Sequence, residues 1–293
     1  MNSIQFFGAL EMGLFFSLIT LGIYLTFRVI NFPDLTVDGS FPLGAAVSAS
    51  LIVSGVHPLT ATFTALLAGG FAGFITGYLH VRWKILGLLA GILTMTALYS
   101  INLRIMGRPN IALLNEPTLF SYFKASQGVL IAITGIVILV VFLLYRFLRS
   151  QIGLALRATG INPRVSPSYG INIGRMTLLG LVISNSLVAL GGALYAQAHG
   201  FADISMGTGT LITGLASVIV GESLLPKKQI SWILFACVLG SILYRVTIAL
   251  ALNTKIAGLQ ASDLNLITAV LVILAMLLPK VRQKIRLDSG AKS

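Results

Sequence analysis

Long apolar runs separated by short polar or Gly- and Pro-rich stretches organise this chain from end to end. They fall at about 6–27, 43–55, 59–79, 85–102, 128–145, 176–198, 211–225, 230–250 and 264–279. An α-helix rises about 1.5 Å per residue, so roughly 20 apolar residues cross a hydrocarbon core of about 30 Å. The pattern predicts an all-α polytopic membrane protein with about nine transmembrane segments. The second and seventh runs are short for a full crossing. Each follows an irregular stretch rich in Gly, Pro or Asp, which predicts short broken helices at membrane depth. Such backbone survives there only when packed in protein or lining a cavity.

Composition agrees with the pattern. The 293 residues are 56% hydrophobic and only 10% charged, against about 25% charged in soluble domains. So few charges cannot solvate a globular surface, and the lipid bilayer is the expected solvent. The net charge of +12 does not predict a nucleic-acid partner, because no basic run carries interleaved aromatics in a soluble setting. Cys237 is the single cysteine, so a disulfide within the chain is excluded. His57, His80 and His199 lie far apart without ligand spacing, and neither a metal nor another cofactor is expected. The N-terminus lacks the basic segment of a signal peptide, so the first run reads as a permanent span.

Lys and Arg placement sets an orientation. The polar island from Arg146 to Arg175 holds five arginines and no acidic residue, which assigns it to the cytoplasmic side. Alternating the spans from there puts Arg28, Arg82, Lys84, Lys227, Lys228 and the basic tail from Lys280 inside as well. Fifteen of the 20 basic residues are then cytoplasmic, the C-terminus is inside and the N-terminus outside. Arg104, Arg108, Lys124, Arg245 and Lys255 remain on or toward the outer side.

An internal repeat joins the two halves. LGIYLTFRVINFPDLTVDG from Leu21 aligns without gaps on LGGALYAQAHGFADISMGT from Leu190, matching Gly22 to Gly191, Phe32 to Phe201 and Asp34 to Asp203. Both copies lie at the end of a full span, before an irregular stretch and a short span. The alternation makes them inverted, so a single domain over 1–293 is expected, with halves at about 1–145 and 176–279 around the loop 146–175. Inverted repeats with broken helices in corresponding places point to a transporter.

The irregular segments 31–40 and 200–210 hold the candidate substrate pathway: Asn31, Asp34, Asp38, Asp203 and Ser205. Pro33 and Pro42 remove backbone donors and Gly39 permits positive φ, so a regular helix is not expected through 31–44. Asp38 or Ser40 has a second reading, as a cap of the short helix that follows. Glu11, inside the first span, is either a proton-coupling carboxylate or a hydrogen-bonded structural one. Glu222 is placed near the cytoplasmic end of the seventh run, as a gate, an ion-pair partner or a contact to another subunit.

Within the polar island, Ile152–Thr159 predicts a short helix stopped at Gly160. Asn162 followed by Pro163 predicts the cap of a second one, which Gly170 ends. Pro167 falls inside that second helix and predicts a shortened or kinked element. Two short helices with outward arginines would present a rigid knob to a cytosolic partner. No G-x-x-x-x-G-K-[ST] loop, nucleophile elbow or HExxH is present, so an enzyme is not expected.

The run GLALRATGINP, residues 153–163, with Gly170-Ile171-Asn172, resembles the cytoplasmic loop of permease subunits of ATP-binding-cassette (ABC) importers. NFPDLTVDGSFPLGAA at 31–46 and GLASVIVGESLL at 214–225 are similar to the branched-chain amino acid and ribose permeases, especially relatives proposed to carry aromatic amino acids. The resemblance implies a type II importer-like fold in the cytoplasmic membrane. It also implies a separate cytosolic ATPase subunit, an extracytoplasmic solute-binding protein, and a second permease copy or sister permease. Leu156, Arg157, Thr159, Gly160, Asn162, Pro163 and Gly170 become the expected coupling element, and the cargo a small polar solute such as an amino acid. A second reading stays open on the residues alone: an ion-coupled secondary transporter using Glu11, Asp34 and Asp203. A passive channel would need a selectivity motif that the sequence does not show.

Overall fold

The computed structural model describes residues 3–121, 126–225 and 229–253. Helix α1 (Ser3–Ile23) widens into one π-helical turn over Tyr24–Val29, and α2 (Val37–Val53), α3 (Pro58–Trp83) and α4 (Gly87–Met106) follow. A short strand β1 (Asn110–Ala112) precedes α5 (Ser126–Arg149), and α6 (Gln151–Ile161) leads through a 3-10 turn at Ser166–Tyr169 into α7 (Ile173–His199). Strand β2 (Phe201–Asp203), α8 (Thr210–Leu224) and α9 (Ile230–Asn253) complete the described chain. Among the described residues, six helices are long and apolar enough to cross a membrane, and α2 and α8 are shorter apolar helices. The last expected run, 264–279, the basic tail, and Lys227 with Lys228 lie outside the described residues.

Two expectations are corrected. The fold is not purely helical: β1 and β2 form an antiparallel ribbon, with Asn110 opposite Asp203 and Ala112 opposite Phe201. And α2 starts at Val37 rather than near 43, running through Pro42. The proline lacks the N–H that would bond to Asp38 four residues earlier. That freed carbonyl lies where a side chain on Gly207 would otherwise be, so the start of α2 rests against the segment leading into α8.

Helix α7 is the axis. In its most apolar window 67% is buried, against 28% for α4 and 22% for α5, so those two turn most of their surface outward. Small residues let α2 and α3 approach α7 backbone to backbone: a Cβ on Gly44 would strike the Ala189 carbonyl, and one on Gly73 the Leu181 carbonyl. Polar ties cross the same seam. Gln197 Nε2 donates to Ser48 Oγ at 2.9 Å and to Thr62 Oγ1 at 2.7 Å. A further tie joins α7 to α1, where Ser184 Oγ donates to the Gly22 carbonyl at 2.7 Å. In an apolar solvent these bonds replace the hydrophobic effect as the force holding helix to helix.

The bundle has two distinct ends. Helix α7 leaves the α6 end and finishes at the ribbon, whereas the last turn of α1 finishes against α6.

Candidate functional site: the broken helices and the α6 surface

The two irregular segments share local geometry. Asn31 takes a positive φ of 53°, and its repeat partner Gly200 takes 77°. Three residues later, Asp34 Oδ1 accepts the Thr36 N–H at 2.9 Å, and Asp203 Oδ1 accepts the Ser205 N–H at 2.8 Å. Each aspartate thus folds its own backbone into the same small turn, between a full helix and a short one.

Their surroundings differ. Asp34 is fully buried, and its Oδ2 accepts Asn185 Nδ2 at 2.7 Å. Ser40 Oγ donates to Asn185 Oδ1 at 2.7 Å, and Thr36 Oγ1 lies 2.7 Å from Thr76 Oγ1. The carboxylate is therefore the centre of a satisfied network joining the irregular segment to α2, α3 and α7. Asp203 is only partly buried and also accepts from Asn110 Nδ2 at 3.2 Å across the ribbon. The Ser205 hydroxyl, chiefly, holds its carboxyl below the usual carboxylate range.

Asp38 caps a helix, but not its own. It lies in the first turn of α2 and accepts from Thr210 Oγ1 at 2.8 Å, Leu211 N at 2.7 Å and Gly209 N at 3.3 Å. The N-terminal ends of the two short helices therefore meet, and one carboxylate faces the partial positive charge of α8. Ser40 caps neither helix and bonds to Asn185 instead. Asn31 is exposed, as is Ser205.

At the α6 end, Arg28, directly before the irregular segment, pairs with Glu222 in the last turn of α8. Both are within electrostatic reach of the Tyr24 hydroxyl, as is Arg157. Helix α6 is capped by Ser150, whose Oγ accepts the Gly153 N–H at 3.2 Å. It runs through Gly160 to Ile161, which corrects the expected stop at Gly160. That glycine serves close approach, since a Cβ there would strike the Val29 carbonyl. Asn162 ends α6 and its Oδ1 accepts from Arg164 N and Val165 N. Pro163 begins a turn rather than a helix. Pro167 then fits the first turn of a single 3-10 turn, which Gly170 ends with a φ of 74°. The proline thus shortens the second element without kinking it.

The faces of α6 were not legible beforehand. Leu156 and Thr159 point inward and are buried, Leu156 beside Gly180 of α7. Arg157 is half-buried with its Nε enclosed, so it is not one of the outward arginines. The outward face carries Ile152, Leu154 and Ile161, the last 84% exposed, followed by Val165 and Tyr169. Sequence reading also passed over Asn185 and Thr76, which gain meaning only from the buried carboxylate they serve. It passed over Arg245 as well, whose signal was present: a lone cation within an apolar run.

A helical bundle with two broken helices meeting tip to tip, and a short helix seated across one end, has the architecture that transporters use. The family model described as "branched-chain amino acid transport system / permease component" matches residues 5–278, and the chain belongs to that family. It is therefore a permease subunit of an ABC transporter, a transport component rather than an enzyme. The chain is 40% identical over 287 residues to a tyrosine transport system permease protein of Clostridioides difficile, covering 93% of this chain and 95% of that protein. It is 23% identical to the ribose import permease protein RbsC of Escherichia coli K12, covering 85% of this chain and 78% of that one. Among solved structures, PsaBC from Streptococcus pneumoniae has the same fold with a TM-score of 0.53 at 13% identity, covering 92% of this chain and 89% of that chain.

Proposed function

We propose that this permease imports a small polar solute, an amino acid, across the cytoplasmic membrane, driven by ATP hydrolysis in a separate cytosolic subunit. The observation that carries the reading is the two-faced α6. Its inner face is fixed to α1 and α7 through Gly160 and Leu156, while Leu154 and Ile161 stand exposed at 59% and 84%. An apolar surface held rigidly at a helix end is what a soluble partner grips, and motion of that partner passes directly into the end of α1.

In this reading the α6 end is cytoplasmic, in keeping with the exposed Arg28, Arg146, Arg149, Arg164 and Arg175 gathered on its side of the chain. The ribbon end faces outward, toward a solute-binding protein. The two halves are inverted copies, with nine crossings once the 264–279 run is included, and a second permease copy or sister permease completes the pathway. The coupling element runs from Leu156 to Gly170, with Leu156, Arg157, Thr159 and Gly160 as its anchor and Asn162, Pro163 and Gly170 shaping its outer turn. Asn31, Asp34, Asp38, Asp203 and Ser205 border the path, and Glu222 gates it through Arg28. The tyrosine permease of C. difficile makes an amino acid the first cargo to test.

Proteoliposomes holding the permease with its ATPase and binding protein are expected to accumulate labelled L-tyrosine only with ATP. Uptake that persists without the ATPase and follows a proton or sodium gradient would replace this reading with an ion-coupled carrier.

A further inference from the structure

The end of α1 is wound differently from the end of α7, although the two align residue for residue. From Gly22 to Asn31 the chain has the same length as from Gly191 to Gly200. Both stretches close with a positive φ, at Asn31 and at Gly200. Helix α7 stays α-helical to His199, and the Gly200 N–H bonds to the Ala196 carbonyl four residues back at 2.9 Å. Tyr24–Val29 instead form the π-helical turn. There the Ile30 N–H reaches the Leu25 carbonyl, five residues back, at 3.0 Å, and the Phe32 N–H reaches the Thr26 carbonyl at 2.8 Å.

This turn lies between two grips. Upstream, Ser184 of α7 holds the Gly22 carbonyl at 2.7 Å, and the Thr26 hydroxyl donates to the Ile23 carbonyl at 3.2 Å. Downstream, the Val29 carbonyl lies against Gly160 of α6. Between them Arg28 pairs with Glu222 of α8. A π turn holds one residue more than an α turn. The residue one turn beyond Ile23 is therefore Arg28 in the π form and Phe27 in the α form. Rewinding to α brings Phe27 to the place of Arg28 and carries Arg28 on by about 100°, away from Glu222. The ion pair is partly exposed, and such pairs cost little to break. Rewinding also turns Val29, so it cannot proceed unless α6 travels with it.

We propose that the π turn of α1 is a register switch. Displacement of α6 by the ATPase rewinds Tyr24–Val29 into an α turn, parts Arg28 from Glu222 and frees the end of α8 from α1. The end of α7 supports the second state, because the same number of residues there joins equivalent flanks in α form. The proposal rests on the importer reading above and adds its moving part: the drive enters the bundle as a change of register within α1.

The test is cross-linking of the permease–ATPase complex in proteoliposomes, on a C237A parent that lacks the native thiol. R28C with E222C, and F27C with E222C, are bridged by a short bis-methanethiosulfonate, with and without vanadate-trapped ATP. The expected result is cross-linking of the 28–222 pair without nucleotide and a reversed preference, for the 27–222 pair, in the trapped state. The same preference in both states overturns the switch. Hydrogen–deuterium exchange of the wild-type complex needs no substitution, so a misfolded variant leaves the test intact. Amides of residues 24–30 are expected to exchange several-fold more slowly in the trapped state, with residues 185–192 of α7 unchanged. Unaltered exchange over 24–30 also overturns the switch. Either negative result beside intact ATP-driven tyrosine uptake leaves the importer reading standing. Absence of ATP-driven uptake by the wild-type complex sinks the importer reading, and the switch with it.

Discussion

Asp38 of α2 and Leu211 of α8 are joined by a hydrogen bond of 2.7 Å, from the Leu211 N–H to the carboxylate. The Thr210 hydroxyl and the Gly209 N–H reach the same group. One side chain therefore completes the first turn of a helix on the other half of the chain. Losing a cap costs about 0.5–2 kcal/mol, so D38A is expected to lower the melting temperature of the purified permease by several degrees. D38N, which keeps an acceptor but loses the charge, should fall between. Scanning fluorimetry of the three proteins side by side measures the order, and D38A melting with wild type would show that α8 holds its start without Asp38.

Asp34 and Asp203 make the same turn in different surroundings, and their substitutions should separate accordingly. D34A leaves Asn185 Nδ2 and the Thr36 N–H short of an acceptor in a buried site, a cost of about 1–3 kcal/mol. D203A, at a partly exposed ribbon, is expected to cost less than about 0.5 kcal/mol. Replacing Asp34 and Asn185 together by apolar residues should recover part of the D34A loss. Equal melting of D34A and D203A would contradict the buried network.

The outward face of α6 predicts a separation of folding from assembly. L154E and I161E should melt like wild type yet lose the copurifying ATPase. G160V should do the reverse of a surface change: its side chain meets the Val29 carbonyl, so stability falls and transport falls with it. Pull-down of the ATPase beside a melting curve distinguishes the two classes.

The Arg28–Glu222 pair has side chains 51% and 31% exposed, so its worth to stability is small, about 0–1 kcal/mol. R28E or E222R alone should leave melting nearly unchanged but alter transport. The double exchange, R28E with E222R, should bring transport back toward wild type. Failure of that rescue, with both proteins folded, would deny the pair a role as a gate.

Asp203 carries a pH signature. Its carboxyl titrates below the ordinary range in the folded chain, through the Ser205 hydroxyl first. The stabilisation is then present above the unfolded-chain value and disappears as pH falls through the lowered folded value. S205A should raise the Asp203 titration toward an ordinary carboxylate, so that the ribbon contact with Asn110 loosens at a higher pH. A carboxyl-carbon NMR titration of the two proteins reads the shift.

Much of this architecture was legible in the sequence because lipid imposes a strong code. Apolar runs gave the helices, and the recurrence of Asp34 at Asp203 located the two irregular turns that the Asn31 and Gly200 dihedrals share. What escaped was everything set by long-range packing. Asp38 reads locally as a cap for α2, and only the meeting of two helix starts assigns it to α8. Gly160 reads locally as a helix stop, and only the nearness of Val29 makes it an interior contact. Leu156 and Leu154 are indistinguishable by type, yet one is buried and the other exposed, because the orientation of α6 is fixed by α1 and α7.

The glycine seam between α7 and its neighbours α2 and α3 has a consequence for motion. Where Gly44 and Gly73 bring backbone against backbone, no layer of side chains can change rotamer to absorb a displacement. A slip of one residue would drive an alanine or leucine Cβ into a carbonyl. These three helices are therefore constrained to travel as one plank, and any opening of the path must come from elements hinged on it: the irregular turns, α8, and the end of α1 that α6 holds.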